Sequence, residues 1–159
     1  MKNLIPMTLL SMAAVIVALN SGVGAEPDKT PPDYTRKTAK SYAATLSAVQ
    51  EAAKTEGFKI SGVHDLAASL LKEGIEREPY AVVEVCKAEL AAQVLKAEPR
   101  FGVFMPCRIA VYQQGENTIV TSVLPTRLLT FFPANKAEVK AAALQVDRVM
   151  KTIIDTATR

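Results

Sequence analysis

The sequence predicts an α+β fold, a mainly antiparallel sheet with a long C-terminal helix packed across it, and three observations carry that expectation. Stretches with helical spacing of apolar residues are interspersed with short β-rich runs. The last two β-runs, 103–112 and 118–124, are joined by Gln114-Gly115-Glu116-Asn117, a link short enough to make them an antiparallel hairpin. Beyond Asn135, a good N-cap, Val139, Ala142, Ala143, Val146, Val149, Met150, Ile153 and Ile154 form one broad apolar stripe that must cover a sheet.

Residues 1–25 stand apart from the fold. Lys2 is followed by the apolar run MTLLSMAAVIVAL and then by small residues ending at Ala25, the three-part pattern of a secretory signal peptide cleaved after Ala25. The apolar run falls short of the ~20 residues a membrane-spanning helix needs, so no stable anchor is expected after cleavage. The expected location is the periplasm of a Gram-negative cell, or outside the cell. Residues 26–33, EPDKTPPD, read as a proline-rich tether, and 34–159 as a single domain.

Within the domain, residues 34–39 suit a short edge strand. Tyr42, Leu46, Val49 and Ala53 share one helical face, and Gly57 stops that helix. Residues 58–63 alternate like a half-buried strand, and His64-Asp65 opens a short helix capped by Asp65, with Leu66 and Leu70 expected on its buried side. The valine-rich run 80–86 is a central strand on whose pleat Tyr80, Val82, Glu84 and Cys86 share one face. Leu90, Ala91, Val94 and Leu95 mark another helix before Pro99, and 127–132 reads as an apolar bridging segment between Pro125 and Pro133.

The formal charge of +3, from 19 basic and 16 acidic residues mixed along the chain, excludes the usual basic footprint of a nucleic-acid binder. Trp is absent, and no phosphate-binding loop or dinucleotide fingerprint occurs. With a single histidine and nothing local to activate a thiol, a catalytic triad is hard to build, so a non-enzymatic role is expected.

The matching stretches GFKISGVHDLAASLLKEG, YAVVEVCKAELAAQVLKAEPR, FGVFMPCRIAVYQQGENTIVTSVLP and the closing helix through Val146, Asp147 and Ile154 make the chain resemble the DUF302 family, a domain of unknown function. The Pro106-Cys107 pair and the strand after it match without departure, while Cys86-Lys87 looks like the family's Cys-Asn motif with Lys87 in the asparagine position. The resemblance implies a sheet with a long helix over it, similar in shape to the TATA-binding-protein arrangement. It implies no reaction.

Candidate chemistry centres on the only two cysteines, Cys86 and Cys107. In an oxidising compartment they suit a disulfide, which would add ~3 kcal/mol in the chain-entropy model, but they equally suit ligand or reactive thiols, or an inert core pair. If 103–112 is one strand, Val103, Met105 and Cys107 share a face, and with His64 they would offer soft donors for copper or haem iron. Glu84, Arg108 and Tyr112 are polar candidates around a cleft, although Arg108 and Cys107 alternate on a regular strand and would need a bulge at Pro106 to serve one site. The leading expectation is an exported binding domain with a metal or haem near Cys86, Cys107, His64 and Met105. The alternatives are a thiol redox protein cycling that pair and a structural module acting through protein partners, for which a homodimer is expected.

Overall fold

The computed structural model describes residues 31–132 and 136–159. The expected signal peptide and tether residues 26–30 lie outside the described residues. Pro32 is already tied to the domain, its carbonyl accepting from Leu124 N at 3.2 Å.

Five strands form one fully antiparallel sheet. In chain order they are β1 (Asp33–Thr38), β2 (Lys59–Asp65), β3 (Tyr80–Cys86), β4 (Cys107–Gln114) and β5 (Asn117–Val123), and in space they run β1-β5-β4-β3-β2. The β4–β5 hairpin turns at Gly115, whose φ of 58° is the left-handed conformation that glycine takes without strain. Burial alternates strictly along β3, with Ala81, Val83 and Val85 inside and Tyr80, Val82, Glu84 and Cys86 half-exposed, as a sheet covered on one face requires.

The helices cover the face that carries Val83, Val85, Ile109, Val111 and Val120. Helix α1 (Tyr42–Thr55) starts where Ser41 Oγ accepts from Ala44 N at 3.3 Å, and it stops at Gly57, φ 75°. It lies beside the 22-residue helix α5 (Ala137–Thr158). Val49, Met150, Ile153 and Ile154 from these helices are fully buried against the sheet, and each such side chain contributes ~1.5–3 kcal/mol by leaving water. At the far edge Tyr34 and Arg36 of β1 both bind Asp155 near the end of α5.

Two expectations are corrected, the start of β4 and the burial of the second helix. The strand expected over 103–112 begins only at Cys107. Before it, Pro99–Phe104 forms a 3-10 helix, capped by Glu98 accepting from Arg100 N, and Pro106 has no N–H for the ladder. The short helix α2 (Leu66–Lys72) is capped by Asp65 as expected, but it buries no residue: Leu66 is exposed and Leu70 only half-buried, and the helix meets the sheet at β3. The segment after Pro125 is helical, α4 (Pro125–Leu128) followed by a 3-10 turn at Leu129–Phe131. Helix α5 has Lys136 in the cap position, and Asn135, the expected cap, lies outside the described residues.

Candidate functional site

The end of β3, the chain entering β4 and the helices above them enclose a cleft of about 270 Å³. Three structural decisions in the sequence create it. β3 ends at Cys86, and the chain turns at Lys87 into α3 (Ala88–Ala97), presenting Leu90, Ala91 and Val94. The 3-10 helix swings Phe101 and Phe104 inward, and Phe101 packs within 5.6 Å of the Phe132 ring. Helix α5 closes the far wall with Val139, Ala142, Ala143 and Val146. Most of the lining is apolar, as ligand pockets are, and the volume lies just below the ~300–1,000 Å³ usual for small-molecule sites.

Cys86, Met105 and Cys107 all line this cleft. Both cysteines are free thiols and half-buried. In the ladder Cys107 stands opposite Val85, while Cys86 stands opposite Lys59 on the other side, so the two cysteines are offset by one residue rather than paired. The disulfide expectation therefore has no facing pair of strand positions to rest on. Met105 reaches the cleft from the loop before β4, not from a strand face shared with Val103 and Cys107. Burial, followed by the nearby Cys86 and Asp147, pushes the Cys107 thiol up to about 11, so it is neutral at physiological pH.

His64 is not part of this site. It lies on the open face of the sheet, 55% exposed, with Nε2 3.4 Å from Glu84 Oε2, and Glu84 also accepts from Arg108 Nε at 3.1 Å. Gly62 makes room for this group: a Cβ there would stand 2.9 Å from His64 Nε2 and 3.3 Å from Glu84 Oε2. The His64 hydrogen bond first, and Arg108 second among the attractions, hold the Glu84 carboxyl below the usual carboxylate range. Tyr112 is stacked on Tyr80, its cross-strand partner, with centroids 5.1 Å apart, and Arg77 lies over the Tyr80 ring. The polar candidates are thus a surface network. Arg108 alone among them also borders the cleft, because Pro106 stands outside the ladder and the strand starts at its rim.

A metal site using all four expected donors is excluded by this separation. Among the described residues no group of three or more His, Cys, Asp or Glu side chains is placed to hold a metal ion. Haem held through His64 is excluded in the same way, since the only imidazole is on the opposite face. What remains is an apolar space with three sulfurs on its wall and two cations, Lys87 and Arg108, at its border.

Two residues at this site were not singled out from the sequence as site residues. Asp147 is buried inside α5, and its carboxylate accepts from Thr126 N at 3.1 Å and from Thr126 Oγ1, fastening α4 to α5 beside the cleft. Its signal was an acidic residue set in the apolar stripe, four after Ala143 and three before Met150. Lys87 is the other, half-buried at the cleft border; in the sequence it stands out only as the residue in the asparagine position of the family's motif.

The model of the domain of unknown function DUF302 matches residues 34–157. Among solved structures, the crystal structure of an uncharacterized conserved DUF302 protein from Bacillus stearothermophilus superposes with a TM-score of 0.74 at 26% identity. The match covers 80% of this chain and 98% of that one. No curated protein matches the chain.

Proposed function

The chain belongs to the DUF302 family, which carries no assigned reaction, and we propose that it is an exported, non-catalytic binding domain whose cleft holds a small, mainly apolar molecule. One observation carries this reading: a cleft of about 270 Å³ with an apolar lining drawn from β3, α3, the 3-10 helix and α5. An apolar cavity of ~150 Å³ already suffices for benzene. Export rests on the pattern of residues 1–25 alone.

Naphthalene is a suitable probe, read by saturation-transfer NMR. The expected result is transfer from the wild-type protein and its loss in Ala91→Phe or, from the opposite wall, Ala142→Met, each checked for fold by circular dichroism. No transfer from wild type, or full transfer from both folded variants, contradicts the reading.

The three sulfurs favour a second, narrower reading, a cuprous ion held by Cys86, Cys107 and Met105 without His64. Competition against a chromogenic cuprous chelator tests it, and equal copper retention by wild type and Cys107→Ala rules it out. Thiol–disulfide exchange is disfavoured by the same burial that keeps Cys107 protonated, since exchange proceeds through the thiolate.

A further inference from the structure

We infer that the occupant of the cleft is an amphiphile with one carboxylate, a medium-chain fatty acid in shape, its head paired with Lys87 and its tail along Leu90, Val94 and Phe101. The inference rests on the proposed binding function and names the ligand class for the same cleft.

The charges at the border decide the head group. Lys87 lines the cleft, is half-buried, and holds its ammonium beside Gly57, where a Cβ would stand 3.5 Å from Nζ. No ion pair or hydrogen bond joins the Lys87 side chain to any described residue. Arg108, the other cation at the border, is already matched by Glu84 at 3.1 Å. A half-buried ammonium has surrendered part of its hydration, so a neutral ligand that covers it leaves a charge without compensation, whereas an anion restores the balance. One unmatched cation calls for one negative charge, which suits a carboxylate better than a doubly charged phosphate.

The interior decides the tail. Leu90, Val94, Phe101, Phe104, Val139 and Val146 offer no second charge. Asp147, the acidic group behind Cys107, is turned to Thr126, and the neutral Cys107 thiol adds no charge of its own. At about 270 Å³ the cleft exceeds the ~150 Å³ cavity that takes benzene, so it has room for a chain of more than about six carbons.

Calorimetric titration with hexanoate, octanoate and octanol tests this on wild type, Lys87→Met and Lys87→Arg. Wild type is expected to bind octanoate, tightening about fourfold per methylene from hexanoate. Lys87→Met is expected to weaken octanoate by about tenfold or more while leaving octanol within about twofold, and Lys87→Arg to keep most of the octanoate affinity. Octanol binding by Lys87→Met also verifies its fold. If octanoate binds Lys87→Met and wild type equally while octanol or naphthalene still enters the cleft, the carboxylate inference fails and the binding function stands. If none of these probes binds wild type, both fail.

Discussion

Cys107 should behave as a slow, half-buried thiol, and the size of the effect follows from its surroundings. With its pKa pushed up to about 11, about 0.1% is thiolate at pH 8, against roughly 24% for an ordinary cysteine near 8.5. That deficit is about 240-fold. The more basic thiolate is the better nucleophile, and with a Brønsted slope of ~0.4–0.5 it recovers ten- to twentyfold, leaving a net slowing of about twentyfold before any steric protection. The Cys86→Ala protein isolates Cys107, and it retains burial, the largest cause of the shift, while losing the lesser contribution of Cys86. Iodoacetamide labelling followed by intact mass over pH 7–11 should give a rate that climbs about tenfold per pH unit to near pH 10. A plateau below pH 9, or labelling at pH 8 as fast as in an unfolded peptide, would refute the reasoning and restore a reactive-thiol role.

The same thiol links stability to pH: because its folded pKa is raised, its contribution is complete below the unfolded value and is lost as pH climbs toward about 11. Urea titrations should show roughly 2 kcal/mol lost between pH 7 and pH 10 through this group, a loss absent from Cys107→Ala. Ile109→Ala, at a fully buried site in the middle strand, should cost ~2–5 kcal/mol by chemical denaturation. Asp147→Ala removes the acceptor for Thr126 N and Oγ1 and should cost ~1–3 kcal/mol, with Asp147→Asn costing less. Tyr112→Phe on the open face should leave naphthalene affinity within about twofold, as expected for distant independent sites; a larger change would connect the two faces.

Local rules made most of the fold legible. Ser41 and Asp65 are caps with the expected side-chain bonds, β3 alternates as its valines require, and Gly115 turns the hairpin. The sequence misled where tertiary context overrode an apolar run. Residues 101–104 have the composition of a strand, yet Pro99 and the Glu98 cap start a 3-10 helix, and Pro106 delays the ladder to Cys107. The candidate site divided for a related reason. Period-two alternation put Cys107 and Arg108 on opposite faces although both reach the cleft at the start of β4, and it could not show that Cys86, at the last position of its strand, borders the cleft while Glu84, two residues earlier, joins His64 outside. Whether a lysine such as Lys87 meets a carboxylate depends on residues distant in the chain, and only the assembled cleft reveals that it meets none among the described residues.

Amide chemical-shift mapping of the isotope-labelled protein with naphthalene tests the binding cleft most directly. The expected result is a set of perturbations at Leu90, Val94, Phe101 and Ala142, with Tyr80, Val82 and Tyr112 unmoved. Perturbations confined to those three on the open face, or none anywhere, would contradict a ligand-binding cleft at the cysteines.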